Sequence, residues 1–359
     1  MKRAWAALGL AASLAALAPA RALGRPGGDA GADDGRQGEV AAFTDRREII
    51  VPVPAGSVEV MRIDNPMGRV EIRGGGRADV IHILAQKRAM TAEALGRLRV
   101  HYVAFQSGEV QLDTRVELEG RERSVPLGGS GIDLVIEVPS DVAVEAKTFG
   151  GDVTASGLRA GARLETTGGR IGISDVRGPV VTRQLRGGQS VSGVDGDVDL
   201  DGIEGDMDLR RLVGGRASAR VVDGNIRADD VRASWVHLQT TTGEVVLLGP
   251  LRAGAHYDLR SYAGDVRVLA VGELPLLELR ARASAPVATA FALRGVRHQG
   301  EWLRAELGGA GIGAPRARAA LLEVSSVLAR VMIQPSAAAG PGAVELPGVA
   351  ELPGAAKLH

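Results

Sequence analysis

The densest run of metal-type side chains is Asp195-Gly196-Asp197-Val198-Asp199-Leu200-Asp201-Gly202. D-x-D-x-D-G is the first half of a calcium loop, because hard Ca²⁺ takes several carboxylate oxygens converging from one tight turn. Counted from Asp197, the twelfth position is Asp208, where such a loop carries Glu, and the eighth is Glu204, where an apolar residue is usual. No helical pattern flanks the run. Read as a strand, it places Asp197, Asp199 and Asp201 outward with Val198 and Leu200 inward, which is ordinary alternation. Asp197, Asp199, Asp201 and Asp208 are therefore the one metal candidate, and a solvated face is the favoured reading of them. No metal, cofactor or catalytic residue is expected.

Other chemistries fare worse. The six histidines (His82, His101, His237, His256, His298, His359) show no metal-ligand spacing, and cysteine is absent. His237 near Trp235 and His256 near Tyr257 could form an aromatic ledge for a sugar ring; two inward aromatics with polar neighbours is the favoured alternative. A glycosidase needs two carboxylates across a groove. Three Tyr and three Trp give little sugar platform, and no insertion walls a cleft. The glycines of 308–318 fit no dinucleotide fingerprint, no P-loop Lys follows them, and G-x-S-x-G is missing. Arg159, Arg163, Arg170, Arg177, Arg183 and Arg186 mostly alternate with acids and read as a salt-bridged face. With 43 basic and 43 acidic side chains the net charge is zero, which disfavours nucleic acid and anionic lipid as partners.

The elements that carry these residues come from a repeat. GDVTASGL (151–158), GRIGISDV (169–176), GDVDLDGI (196–203), GDMDLRRL (205–212), GNIRADDV (224–231) and GDVRVLAV (264–271) share one pattern, and GEVVLLGPL (243–251) fits with one extra residue. Glycines at 151, 169, 188, 205, 224, 243 and 264 form one series; those at 161, 178, 196, 215 and 254, with Ala233, form a second. The period is about 19 residues, in the range of solenoids. Apolar residues alternate within each half, which is a strand signal. Each half is then a short strand and a Gly-led corner.

A single rung cannot stand alone. Ordering each residue costs about 1–2 kcal/mol, and a rung offers only a few inward aliphatics at about 1.5–3 kcal/mol each. Stacking closes the ladders and joins the cores. Val153, Ile171, Met207, Ile226, Val245 and Val266 should form one inward column, and Asp152, Arg170, Asp206, Asn225, Glu244 and Asp265 an outward one. Ser190 and Ser192 fall where apolar residues belong, which predicts a local slip at Gly188. Thr148, Thr166 and Thr240 should satisfy turns.

The alternation and the recurring T-x-x-G-[DER]-[VI] at 148–153, 166–171 and 240–245 resemble the bacterial putative-adhesin family of unknown function. The resemblance spans residues 49–333. It implies an all-β, elongated parallel β-solenoid with two short strands per rung, and carries over no catalytic residue.

Along the chain, residues 1–22 read as a secretory signal: Lys2 and Arg3, an apolar run, then Ala20-Arg21-Ala22. Residues 23–46 read as a flexible linker and 47–333 as one solenoid domain. Within it, 47–140 hold N-terminal strands and a short helix at 91–99, 141–271 the regular repeats, and 272–333 looser rungs. Asp64-Asn65-Pro66 reads as a turn. Residues 334–359, rich in Ala, Pro and Gly, read as a disordered tail. The expectation is a non-catalytic protein exported to the periplasm or cell surface. It would be an adhesin-like or structural module meeting a protein or polysaccharide of the envelope, with no membrane anchor once the signal is cleaved. A periplasmic sensing or regulatory partner is the alternative, and a carbohydrate-active enzyme stands behind both.

Overall fold

A computed structural model describes residues 43–125, 128–308 and 319–336. The signal at 1–22, the linker up to 42, the loop at 309–318 and the tail from 337 lie outside the described residues. The described chain is a β-solenoid: two stacks of mostly parallel strands, each rung adding one strand to each stack.

The first stack runs through Val60–Met67, Ala143–Gly150, Ala162–Gly168, Val180–Arg186 and Val198–Glu204. It continues through the second halves of the long strands Met207–Asp223 and Ile226–Thr242, then His256–Ser261 and Ala320–Ser326. The second stack runs through Val70–Gly74, Val153–Ser156, Ile171–Arg177 and Gln189–Asp195, then the first halves of the same two long strands. Val245–Gly249, Val266–Ala270 and Val331–Pro335 complete it. Alternation sends every second side chain into the space between the stacks. Val153, Ile171, Met207, Ile226, Val245 and Val266 stack there in one buried column.

The chain does not slip at Gly188. Gln189 pairs with Ile171 and Met207, so it fills the inward column while Ser190 and Ser192 face out. Its amide is satisfied inside: Thr182 Oγ1 donates to it, and its Nε2 donates to the Asp201 carbonyl at 3.0 Å. The corner glycine is Gly187, whose φ of 122° matches Gly169, rather than Gly188. In the second series Gly214, which pairs with Ala233, stands in the column rather than Gly215.

Polar side chains hold the corners together. Asp152 accepts the Arg170 N–H at 2.8 Å, Asp206 accepts that of Asn225 at 2.8 Å, and Asn225 accepts that of Glu244 at 2.8 Å. Thr166 and Thr240 donate inward to corner carbonyls, of Gly168 at 3.0 Å and Gly224 at 2.8 Å. Ser261 and Ser326 continue the column, donating to Gly243 and Gly264 at 2.9 Å each. Carbonyls that a sharp corner takes out of the ladder thus find donors.

Chain order and stack order part at both ends. The strand Ala320–Ser326 lies between His256–Ser261 and Leu277–Ala283, so residues 277–307 form an excursion beyond the last rung. There Leu277–Ala283, Trp302–Leu307 and Leu293–Gln299 pair antiparallel. At the other end the rung of Val60–Met67 and Val70–Gly74 joins 143–156 directly. The residues between supply one more parallel rung, Glu109–Leu118 against Val60–Met67 and Gly131–Val138 against Val70–Gly74. They also supply antiparallel strands, Leu98–Ala104 on Glu109–Leu118 and Val80–Ala89 on Gly131–Val138, with the earlier Phe43–Pro52 on the other edge of Val80–Ala89.

Four boundaries move. Pairing begins at Phe43 rather than residue 47, because Phe43 to Arg46 continue the ladder opposite Ala89 to Gln86. The last strand reaches Pro335. Asp64-Asn65-Pro66 is no turn but lies within Val60–Met67. Its buried Asn65 donates to the Ile132 carbonyl at 2.9 Å and accepts from Thr114 Oγ1 at 2.6 Å. The helix is Ala92–Arg97, capped by Thr91, whose hydroxyl accepts the Ala94 N–H at 3.1 Å. Leu98 ends it by entering the next strand.

Candidate functional site

The outward side of the first stack carries two parallel columns. One is charged and alternates in sign from rung to rung: Asp64, Lys147, Glu165, Arg183, Asp201, Arg220. Lys147 Nζ lies 3.3 Å from Glu165, and Arg220 reaches Asp201 at 2.8 Å and Asp199 at 3.3 Å. Burial alone would raise the Glu165 carboxyl, but hydrogen bonds from Arg163 and Lys147 outweigh it and hold the group below its usual range. Unlike neighbours suit a parallel stack, where each outward side chain meets the same position one strand away; the alternation ends at Asp64, which meets Asp113, and at Arg220, which meets Gln239.

Two residues further along each strand runs the second column. Phe149, Leu185, Ile203, Val222 and Tyr262 are 54%, 41%, 50%, 50% and 52% exposed, with Thr167 and Thr241 in the intervening rungs. Each precedes its corner glycine by two residues. Beside this column lies an open groove of about 560 Å³, lined among others by Asp64, Ser124, Phe149, Arg183, Leu185 and Ile203. Phe149 and Ile203 are large side chains whose outward position follows from alternation alone, so nothing of this stack covers them.

The carboxylates of the Asp-rich run are not brought together. Asp197 sits at a corner, where its Oδ1 accepts the N–H groups of Gly215 at 3.0 Å and Arg216 at 2.9 Å. Asp199 and Asp201 stand outside the first stack against Arg220. Asp208 stands on the second stack, bonded to Arg210. The run is a strand, Val198–Glu204, and Gly202 is in its interior rather than at the turn a calcium loop needs. Among the described residues, no group of three or more His, Asp or Glu side chains is placed to hold a metal ion.

The aromatics divide between the two sides, where the sequence suggested that both point in. Tyr257 is buried, and its hydroxyl accepts the Arg252 N–H at 2.8 Å. Trp235, His237 and His256 face outward. Trp235 stacks on His237 at 5.3 Å between ring centres, meets His256 edge-on at 6.4 Å, and has the Arg216 guanidinium 4.3 Å above its ring. With Arg216 on the indole, this is a packed cation–π cluster rather than a bare sugar platform. Beneath it Asp258 accepts from His237 Nδ1 at 2.9 Å and Arg260 at 2.7 Å. Burial pushes the Asp258 carboxyl up, yet these two hydrogen bonds prevail and its pKa is lowered.

The family model described as Toastrack DUF4097 matches residues 34–274. The chain belongs to this Toastrack family. Its described residues, in stacked two-strand rungs, carry the β-solenoid architecture expected from the repeat. No curated protein matches the chain. Two solved structures are similar to it. One is a putative cell adhesion protein from Clostridium sporogenes: 10% identity, 81% of this chain and 100% of that one covered, TM-score 0.20. The other is a putative adhesin from Bacteroides fragilis: 13% identity, 81% and 97% covered, TM-score 0.30. At such scores neither carries weight on the function of this chain.

In this Toastrack chain the apolar column is what sequence reasoning missed. Its signal was present, at two residues before each corner glycine, but an outward Leu or Val in one strand is unremarkable. Only stacking in register turns single residues into a stripe. No helix among the described residues is long and apolar enough to cross a membrane.

Proposed function

We propose that this chain is a non-catalytic module exported to the bacterial cell envelope, where the outer face of its first stack binds a protein in an adhesin-like or structural role. The observation that carries this reading is the exposed column of Phe149, Leu185, Ile203, Val222 and Tyr262 beside a charge ladder. An apolar stripe rimmed by charge, unbroken over Leu185, Ile203 and Val222 and interrupted by Thr167 and Thr241, fits a protein-binding surface. The engaged state of the neighbouring carboxylates supports a non-catalytic role: Glu165, Asp199 and Asp201 are each held by Arg or Lys. The covered indole of Trp235 favours protein over polysaccharide.

The test uses the full chain in its own host. Envelope fractions are blotted for the wild type and for Leu185→Asp/Ile203→Asp, with thermal melts confirming that both fold. Retention is expected to fall about 10-fold or more in the variant, as for loss of central apolar anchors; equal retention overturns the reading. Protease shaving of intact cells separates the two exported locations. Loss of signal fits an adhesin-like module. Protection until the outer membrane is permeabilised fits the periplasmic regulatory partner instead.

A further inference from the structure

We infer that the apolar stripe of the first stack seats a segment of this same chain, residues 343–354, which carries E-L-P-G twice. This rests on the proposed interaction role and adds its regulation: the envelope partner must displace the segment. Spacing carries the inference. At each end of the stripe a ring, Phe149 or Tyr262, is followed inward by a short threonine, Thr167 or Thr241. These two recesses are four rungs apart, with Leu185, Ile203 and Val222 between them. The second is the wider, because Val222 is no longer than Thr241. At about 4.8 Å per rung they lie about 19 Å apart. Leu346 and Leu352 are six residues apart, and each precedes a proline, which favours extended backbone. At about 3.1 Å per residue of polyproline II backbone, six residues also span about 19 Å. Three residues per turn set Leu346, Val349 and Leu352 on one side of such a segment. With a leucine in each recess, Val349 meets Ile203, which stands two rungs from either threonine.

Charge follows the same interval. Arg183 and Arg260 are also four rungs apart, each one rung beyond a recess in the direction of the later rungs. Glu345 and Glu351 precede their leucines, so a segment running from the later rungs to the earlier brings Glu345 to Arg260 and Glu351 to Arg183. Arg183 makes no ion pair among the described residues, whereas its neighbours Glu165 and Asp201 are held by Lys147 and Arg220. Arg260 is shared with Asp258 and Glu323, so Arg183 is the stronger contact. On the corner side of the stripe Arg186 is bound to Glu204, and Asp223 takes the Thr242 hydroxyl, which leaves the ladder side to the glutamates. The chain also reaches. Ser336, whose N–H donates to the Ala270 carbonyl at 2.8 Å, is the last described residue and stands at the second corner. Thr241 is two rungs and one strand's length away, about 32 Å over the surface, and the ten residues to Leu346 span at most about 33–36 Å. Thr167 lies beyond that span, so Leu346 takes the Thr241 recess and Leu352 the Thr167 recess.

The chain has no cysteine, so engineered pairs report position without background. The experiment is disulfide formation in the full exported chain at high dilution, read on non-reducing gels, with Leu352→Cys paired with either Thr167→Cys or Thr241→Cys. An unseated segment closes the nearer Thr241 pair at least as fast, because the shorter span gives the higher effective concentration. A seated one closes the Thr167 pair about 10-fold or more faster. Adding Leu346→Asp, which removes the other anchor, should return the unseated order. Equal rates, or a faster Thr241 pair, overturn the inference. So does linkage that doubles the mass of the chain, which gives the stripe to the tail of a second copy. Deletion of residues 337–359 should raise envelope retention about 3-fold or more, since the partner then meets an open stripe; unchanged retention overturns the displacement. If the Thr167 pair wins but Leu185→Asp/Ile203→Asp leaves retention unchanged, the seat stands and the interaction reading falls. If the pairs do not discriminate while that variant loses retention, the seat falls and the interaction reading stands.

Discussion

Every rung turns twice, and the two corners obey different rules. At the first, where the first stack hands over to the second, Gly151, Gly169, Gly187, Gly205, Gly224 and Gly243 all have φ between 122° and 152°. They also lie on top of one another. A Cβ on Gly205 would be driven into the carbonyl oxygen of Gly187, and the same holds up the column. At the second corner Gly196 and Gly214 are packed as closely against the carbonyls below them. Yet the next rung carries Ala233 in that column, buried, with the strand running through from Ile226 to Thr242. The first corner is fixed by backbone conformation and contact together. Gly178, one rung before Gly196, has a φ of 92°, so the second corner is fixed by contact alone only at Gly196 and Gly214, and the through-running strands Met207–Asp223 and Ile226–Thr242 straighten it until Ala233 fits.

The sharpest way to break this comparison is a methyl group at one corner and its removal at the other. Gly205→Ala needs both a left-handed φ that an L-residue resists and a shift of the Gly187 backbone. It is expected to cost more than about 3 kcal/mol. Ala233→Gly loses one buried methyl and gains unfolded-state freedom, for about 1 kcal/mol. Urea denaturation followed by circular dichroism measures both. Equal losses would mean that the corners differ in sequence only.

The next effect is smaller and concerns how corners are tied between rungs. Asp206→Ala removes the acceptor of the Asn225 N–H, an exposed bond that water partly replaces, at a cost of about 1 kcal/mol. Asp206→Asn should be nearly neutral, because Asn225 does the same task for Glu244 one rung on. Asp197 performs this work at the second corner, with two N–H groups on one oxygen. A carboxylate that looked like a metal ligand in the sequence is thus a backbone acceptor. The two roles use the same residue beside the same glycine, and only the register tells them apart.

That register explains what was legible and what was not. The glycine period and the alternation of Val153, Ile171 and Met207 suffice for rungs and core. At Gly187-Gly188 and Gly214-Gly215 two glycines compete for one corner, and local sequence cannot choose. The choice at Gly187 depends on Thr182 and the Asp201 carbonyl, which meet Gln189 across the core. Asn65 reads as a turn residue for the same reason: its partners Thr114 and Ile132 come from a distant excursion. The place of Ala320–Ser326 beside His256–Ser261 depends on which strand closes the stack, and no local pattern encodes it.

The smallest effect sharpens the comparison from within a strand. Towards the far end of the second-stack strands, Gly157, Asp175, Gly193, Arg211 and Asp230 share one column with φ of 69°, 53°, 64°, 50° and 52°. Left-handed φ is therefore not enough to exclude a side chain in this fold; a backbone oxygen must also stand in the way. Where it does not, the cost is only conformational, about 1–2 kcal/mol for an ordinary L-residue, and less for Asp, whose side chain bonds locally. Arg211→Gly removes that strain and returns part of the gain as unfolded-state entropy, so a net stabilisation of about 0.5–1 kcal/mol is expected. Asp175→Gly should gain less. The same denaturation series reads both. If Arg211→Gly instead destabilises, the arginine is making contacts worth more than the strain it carries, and this column is held by side chains as firmly as the first corner is held by their absence.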